Sequence, residues 1–152
     1  MSITTHLLVF TLDAQRYALS LSAAKRIVRA VAITPLPQAP KIVLGVVNVQ
    51  GQLIPVVDLR QRFRLPTREI ELNDRFIVAH TARRPVIVIA DTVVGVQEFA
   101  THEVVLAEEI VPGMEQVEGM IKLADGMIFI HNLDRFLSLH EEQELHEALA
   151  AA

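Results

Sequence analysis

The stretch GVVNVQGQLIPVVDLRQRF, residues 45–63, decides the fold of this chain. Two apolar runs rich in β-branched residues lie on either side of Gly51, where a turn requires a residue that tolerates positive φ. This pattern predicts a β-hairpin. Pro55 cannot donate a ladder hydrogen bond, so it is expected at an edge or a bulge. After Asp58 the chain is predicted to leave the sheet, and residues 60–63 to form one helical turn.

A second hairpin of the same pattern follows 74 positions further along the chain, where GMIKLADGMIFIHNLDRF begins at Gly119 and aligns with the stretch at Gly45. In the second copy, Asp125-Gly126 is the turn signal. Gly51 and Gly126 are out of step by one position, which predicts turns of different length. Chance similarity between apolar strands is the alternative to a true repeat.

The remaining strands repeat as well, because residues 7–28 match residues 76–97 at an offset of 69. If the repeat is real, the chain forms two small β-barrels. Each half is too small to fold comfortably alone, so the two barrels should share a core.

Between these strands the sequence predicts short helices and loops. Ser22 is a candidate N-cap for a short helix through residues 23–26, followed by a strand over 27–33. The three prolines of residues 34–40 exclude a helix and a central strand. The other predicted segments are a polar link over 65–73, a short helix over 133–139 and a helix over 139–150.

Composition excludes several classes of function. The chain has 152 residues, no cysteine and a net charge of −4. With 5% aromatic residues, it lacks the basic and stacking surfaces that nucleic acids require. No apolar run approaches the length of a membrane span, and the first residues lack a basic signal-peptide region. The expectation is a soluble, cytoplasmic protein without direct membrane insertion.

No catalytic set is visible. The carboxylate pairs Glu108-Glu109 and Glu141-Glu142 give no sign of convergence, and a solvated surface is preferred for them. The six histidines lack the spacing of metal ligands, and His131 is expected to be a neutral core imidazole. No serine lies in a nucleophile-elbow context. The sequence therefore predicts no enzyme, no metal and no cofactor.

Two polar residues interrupt the apolar hairpin. Asn48 and Gln50 lie at alternate positions beside Gly51, so they are expected on one face. They form either the solvent face of an edge hairpin or a partner-binding surface beside the proline-rich loop.

Taken together, these motifs resemble the CheW-like family of adaptor proteins from bacterial chemotaxis arrays. The resemblance covers residues 7–139, nearly the whole chain. Its motifs are LLVFTLDAQRYAL (7–19), ITPLPQAP (33–40), GVVNxxGxxIPVVDLR (45–60), DRFIV (74–78), VIVIADTVVGV (86–96) and GMIFIHNLDRFL (126–137).

The resemblance implies a mostly β fold of two intertwined five-stranded SH3-like barrels, with short helices and a C-terminal helix. It makes residues 1–152 a single CheW-like domain whose barrel subdomains divide near 64–75. The implied role is non-catalytic, bridging chemoreceptor cytoplasmic tips and the regulatory domain of a CheA-type histidine kinase. Exposed apolar barrel ends would pair with the kinase, and a groove near the hairpin and the first short helix would hold the receptor tip.

Family positions expected at these interfaces are partly kept and partly altered. The residues that keep the pattern are Gly45, Asn48, Gly51, Asp58 and Arg60. Gln50 replaces a common arginine, and Ala24-Lys25-Arg26 ends in a base where the family commonly has an acid. The two changes are electrostatically consistent with each other, because Arg26 would repel an arginine at position 50. They predict altered receptor specificity, since charge reversal at an interface changes partner choice.

A second hypothesis is a diverged barrel that binds a small ligand or acts outside chemotaxis. A deep pocket lined by His80, His131 or the Glu108-Glu109 pair would favour it.

Overall fold

The structure is a computed structural model that describes residues 4–106 and 117–152. These residues form eleven strands and two α-helices. The strands are β1 (Thr4–Leu12), β2 (Gln15–Ser20), β3 (Ala24–Arg29), β4 (Val43–Val49), β5 (Gln52–Val57), β6 (Arg75–His80), β7 (Pro85–Ala90), β8 (Thr92–Ala100), β9 (Val104–Leu106), β10 (Val117–Leu123) and β11 (Gly126–His131). The helices are α1 (Leu59–Arg62) and α2 (Leu139–Ala151), with short 3-10 helices at Thr101–Glu103 and Leu133–Arg135.

The strands form two sheets that exchange parts of the chain. One sheet has the order β8-β1-β2-β11-β10-β9, and the other has the order β3-β6-β7-β5-β4. Strands β1 and β2 therefore lie beside strands from the second half, while β6 and β7 lie beside strands from the first. This confirms the predicted mostly β fold of two intertwined sheets with a C-terminal helix, to which β9 adds a sixth strand. The subdomain division near 64–75 stays a prediction.

The strand pairing follows the sequence repeat residue by residue. At the offset of 69, Leu7 pairs with Ser20 as Phe76 pairs with Ile89. At the offset of 74, the equivalent hairpin pairs are Val47 with Ile54 and Ile121 with Ile128. The parallel pairs Val56 with Ile87 and Ile130 with Ala18 combine both offsets. The two halves therefore share one topology, including its parallel pairing.

The turns of the two hairpins have the same length, so the prediction of different lengths was wrong. Val49 pairs with Gln52, and Leu123 pairs with Gly126, which leaves two residues in each turn. Gly51 is a turn residue, whereas Gly126 is the first residue of β11. The two glycines differ by one position in the alignment because Gly51 lies within its turn, whereas Gly126 begins the strand after its turn.

The predicted helix after Ser22 was also wrong. The chain makes a turn there and enters β3 at Ala24, because this segment pairs with β6. The Ser22 hydroxyl lies 2.9 Å from the Ser20 hydroxyl, so it caps no helix. β3 ends at Arg29 rather than at Ile33, since the chain beyond it crosses to β4.

Two further element bounds differ from the predictions. Residues 133–139 form a 3-10 helix only over Leu133–Arg135. The C-terminal helix α2 then begins after Ser138, whose hydroxyl accepts from the Glu141 N–H at 3.1 Å, while the Glu141 carboxylate accepts from the Ser138 N–H. This reciprocal capping box fixes the start of α2.

A shared core joins the sheets and α2. The largest cluster takes Phe10 and Leu19 from one sheet, Ile77 and Val88 from the other, and Leu145 from α2. Smaller clusters fill each sheet's own interior. Apolar burial holds the two sheets together as one unit, as the size of each half required.

Candidate partner-binding groove

A groove of about 200 Å³ opens beside the hairpin on the five-stranded sheet. β3 forms one side of it, and the tip of the β4–β5 hairpin forms the other. Its lining includes Lys25, Arg26, Gln50, Gln52, Ile54 and Val78. Ile54 and Val78 are buried, so the groove has an apolar floor and polar sides.

The structure brings Arg26 and Gln50 to the same groove, as the sequence argument assumed. Both residues are exposed. Within the described ranges 4–106 and 117–152, Arg26 makes no ion pair. Ala24 is half-buried at the start of β3 and pairs with Ala79, so it supports this side of the groove.

Asn48 has a structural role in the turn. Its side-chain oxygen accepts a hydrogen bond from the Gly51 N–H at 2.8 Å. Gln50 and Gly51 have φ of 51° and 86°, as a type I′ hairpin turn requires. The Asn48 amide thus stabilises the conformation that presents Gln50.

Gly45 is required by the proline-rich loop. A Cβ at Gly45 would lie 2.3 Å from the backbone oxygen of Thr34, and the residue has a φ of +150°. Thr34 exchanges backbone hydrogen bonds with Val46, which fixes the loop against β4. Gly119 repeats the arrangement, with its Cβ position 2.7 Å from the Val105 oxygen. The absence of a side chain at Gly45 therefore allows the proline-rich loop to pack against β4 next to the hairpin.

Asp58 is the N-cap of α1 and leaves the sheet as predicted. Its carboxylate accepts from the Arg60 N–H at 3.0 Å and from the Gln61 side-chain amide at 3.1 Å. Asn132 caps the 3-10 helix in the second half in the same way. The role of Asp58 is to end β5 and begin α1.

Arg60 is buried in an ion-pair network rather than exposed for a partner. It is 7% exposed, and its guanidinium lies 2.8 Å from Asp13 and 2.7 Å from Asp91. Arg68 extends the network, with one nitrogen 2.6 Å from both Asp74 and Asp91. The network joins the β1–β2 turn, α1, the polar link and the β7–β8 turn.

The network shifts the pKa values of its members. Burial raises the pKa of Asp91, but hydrogen bonds from Arg60, the Asp13 N–H and Arg68 outweigh burial and hold that pKa below its usual value. Burial likewise raises the pKa of Asp74, and hydrogen bonds from Arg68 and the Glu71 N–H reverse the effect. For Arg60, burial lowers the pKa, and its two carboxylate partners outweigh that and raise it. Asp74, Asp91 and Arg60 are therefore charged at neutral pH.

Sequence reasoning missed this network, although it did select Arg60. The partners of Arg60 lie 47 positions before it and 31 positions after it, counting from Asp13 and Asp91 in the sequence. No local spacing connects them. The available signal was that Asp13 and Asp91 directly follow the apolar runs 7–12 and 85–90, and that Asp74 lies just before the apolar run 76–79.

His131 is buried as expected, but it is not hydrogen-bonded. It is 2% exposed, and neither ring nitrogen has a partner among the described residues. Its ring lies 5.2 Å from the Phe63 ring and 5.6 Å from the Phe136 ring, centroid to centroid. Burial, and secondarily the charge of Arg62, lowers the pKa of His131 to about 3. The imidazole is therefore neutral at physiological pH.

A pocket of about 270 Å³ is lined by residues that include His80 and His131. The ring nitrogens of His131 are both inaccessible, so neither reaches the pocket space. Glu108 and Glu109 lie outside the described residues. Across the described ranges, no group of three His, Asp or Glu side chains is arranged to hold a metal ion.

In the described part of the chain, no helix has the length and apolar character needed to span a membrane.

Interleaved sheets and a groove with an apolar floor define a small β protein with a candidate partner-binding surface. The model of the CheW-like domain matches residues 6–141. The chain therefore belongs to the CheW-like domain family. This membership confirms the prediction of a non-catalytic adaptor.

Individual relatives agree with this assignment. A chemotaxis protein CheW of Rhizobium meliloti is 26% identical over 139 residues, covering 90% of this chain and 90% of the relative. The chemotaxis protein CheW of Treponema pallidum is 23% identical over 145 residues, covering 91% and 85%. The crystal structure of the scaffolding protein TtCheW from Thermoanaerobacter tengcongensis superposes with a TM-score of 0.82 at 26% identity, covering 91% of this chain and 96% of that one.

Proposed function

We propose that this protein is a cytoplasmic adaptor that couples chemoreceptors to a CheA-type histidine kinase in a chemotaxis-like signalling complex. The observation that carries the proposal is the family match over residues 6–141, together with the TM-score of 0.82 to a scaffolding protein. An adaptor needs at least two binding surfaces on one rigid body. The structure offers candidates for both.

The kinase-facing candidate is the β8 edge of the six-stranded sheet. Val94 and Val96 alternate along this strand and are 50% and 54% exposed. β8 pairs with β1 on one side, and among residues 4–106 and 117–152 no strand pairs with its other edge, which is the edge we propose for a further strand or barrel. An exposed apolar edge strand fits pairing with the kinase's regulatory domain.

The receptor-facing candidate is the groove between β3 and the hairpin tip. Its apolar floor fits a receptor side chain, and Arg26 and Gln50 at its sides give it a different charge from the common family pattern. We propose that this difference changes which receptors the adaptor accepts.

The test is calorimetric titration of the purified chain with the regulatory domain of each CheA-type kinase from the same genome. Binding at micromolar concentrations is expected, and a Val96→Asp variant should weaken it by about tenfold or more, since it places a charge at an apolar contact. Val31→Asp is the matched control, because Val31 is 49% exposed and lies outside β8. Absence of binding to every such kinase would remove the proposal.

One observation favours the alternative of a small-ligand protein. An apolar groove of about 390 Å³ lies in the six-stranded sheet, lined by residues that include Leu7, Val104 and Ile130. Its volume is in the range of ligand sites. Native mass spectrometry of the purified protein tests this alternative, because a resident ligand would add its mass to the chain.

A further inference from the structure

The groove beside the hairpin has a charge opposite to that of the whole chain. The chain carries a net charge of −4. The groove is lined by Lys25, Arg26 and His80, and among the described residues that line it there is no aspartate or glutamate. The bases at this groove attract negatively charged groups, although the protein as a whole is acidic.

The strand that supplies these charges has an irregularity at the required position. The pairing of β3 with β6 shifts between Ala24 and Arg26, as in a β-bulge. Successive residues of a regular strand face opposite sides, whereas a bulge redirects one of them. This explains how the neighbours Lys25 and Arg26 both line the groove.

Neither base is neutralised within the described ranges. Lys25 donates to the backbone oxygen of Ser22 at 3.1 Å, and neither it nor Arg26 forms an ion pair with a described carboxylate. Arg29, further along β3, is exposed and equally without a described acidic partner. β3 is also the last strand of its sheet in the described part of the chain, so a row of bases lies along an edge that no described strand pairs with.

From these features we infer that the partner segment that enters this groove is acidic, with carboxylates for Lys25 and Arg26 and an apolar side chain for the floor at Ile54 and Val78. This inference rests on the proposed function, because it names the chemistry of the adaptor's partner at that groove. The amides of Gln50 and Gln52 fit the opposite side, where they are able to donate to the peptide backbone or to a carboxylate. The size of the groove accommodates one anchoring side chain, and the two bases select the charge of the flanking residues.

The probe is a short capped peptide of alternating glutamate and valine, with a matched peptide of alternating lysine and valine. Each is titrated into the isotopically labelled full chain, and backbone amide shifts are recorded. The acidic peptide should shift amides of β3 and of the hairpin tip and should bind about tenfold more tightly than the basic one, as expected for two favourable exposed charge contacts. Raising the salt concentration should weaken its binding, because exposed charges are screened.

The variant Lys25→Glu with Arg26→Glu should weaken binding of the acidic peptide by about tenfold or more. The control is Lys41→Glu with Lys122→Glu, which makes the same change in net charge at two exposed lysines outside the groove. Circular dichroism verifies that both variants fold, and the salt series on the unmodified chain does not depend on any variant.

Three outcomes overturn the inference. These are equal binding of the two peptides, an equal loss in the control variant, and shifts that inorganic phosphate alone reproduces. Kinase binding by the unmodified chain is measured separately. If kinase binding persists while the acidic peptide fails, the inference about the groove is lost and the adaptor proposal stands.

Discussion

Arg60 in α1 and Asp91 in the β7–β8 turn join two segments that are distant in the sequence. One guanidinium nitrogen of Arg60 lies 2.8 and 2.7 Å from the two carboxylate oxygens of Asp91. Asp91 also accepts from the Asp13 N–H at 2.8 Å, which brings in the β1–β2 turn. Asp13 follows β1 and Asp91 follows β7, and these strands belong to different sheets. Asp91 therefore ties the two sheets at one end.

The first prediction concerns this tie. Arg60→Ala should lower the free energy of unfolding by about 2–3 kcal/mol, because it leaves partly buried carboxylates without their cation and removes the donor to the Pro66 oxygen. The loss of stability is modest because Asp13 is partly exposed to water and Asp91 keeps its ion pair with Arg68. Urea unfolding followed by circular dichroism measures it.

Arg64→Ala is the matched control, since Arg64 is an exposed arginine four residues later. A change within about 0.5 kcal/mol is expected there. Equal losses in the two variants would contradict a special role for the Arg60 network.

The second prediction concerns the buried imidazole of His131 and pH. In the unfolded chain, a histidine takes up a proton as pH falls below about 6.5, while the folded chain resists protonation because the pKa of His131 is lowered to about 3. The unfolded state therefore binds more protons between these values. The free energy of unfolding should fall with decreasing pH across that window, by up to about 1.4 kcal/mol per pH unit.

His131→Leu should remove most of this slope. At pH 7 it should leave stability unchanged or raise it by about 1 kcal/mol, because the imidazole nitrogens are buried without hydrogen bonds. Asp74 and Asp91 have lowered pKa values, so their contribution is lost only at more acidic pH, near and below about 4. Urea titrations from neutral to mildly acidic pH thus isolate the histidine. His146→Gln, at an exposed histidine, should keep the slope, and a slope that survives in His131→Leu would refute the assignment.

The third prediction separates backbone strain from crowding at glycine. Gly45→Ala and Gly95→Ala both place alanine at a positive φ that side chains rarely adopt, +150° and +130°. At Gly95 nothing lies within 4 Å of the new Cβ, whereas at Gly45 the Thr34 oxygen lies at 2.3 Å. We expect a loss of about 1 kcal/mol for Gly95→Ala from strain alone, and at least about 2 kcal/mol more for Gly45→Ala.

Thermal unfolding of the two glycine variants gives the difference directly. If both lose the same stability, the contact between Gly45 and the proline-rich loop is not a constraint on the fold.

The parts of the fold that follow from local pattern could be predicted from the sequence. The hairpin around Gly51 and the helical turn after Asp58 each depend on residues a few positions apart. The repeat was visible because its two copies keep the same register, as the equivalent pairs at Gly45 and Gly119 require.

The predictions that were wrong concern segments whose structure depends on long-range strand pairing. Ser22 has the side chain of an N-cap, but pairing of β3 with β6 is made over about fifty positions and overrides that local preference. The same distinction between local and long-range contacts applies to the candidate site residues. Asp58, Asn48 and Gly45 proved to support the hairpin locally, and the burial of Arg60 depends on Asp13 and Asp91, which no spacing rule connects. Arg26 and Gln50 remain as the groove's exposed pair.

The last prediction tests whether this pair sets partner choice. Arg26 and Gln50 line one groove, so an acid at position 26 and an arginine at position 50 would lie in the same opening. Arg26→Glu with Gln50→Arg restores the charge pattern common in the family, and it should shift binding from the protein's own receptors toward typical chemoreceptor tips. The single Gln50→Arg variant should bind typical chemoreceptor tips less tightly than the double variant, because it places two arginines in one groove of about 200 Å³.

A double-mutant cycle makes the argument quantitative. If the two positions interact across the groove, the effects of the single changes will not add, and the interaction should be about 0.5–1 kcal/mol in favour of the double variant. Calorimetric titration with receptor-tip fragments provides the four affinities. Additive effects combined with unaltered receptor affinity would show that Arg26 and Gln50 do not determine which receptor this adaptor accepts.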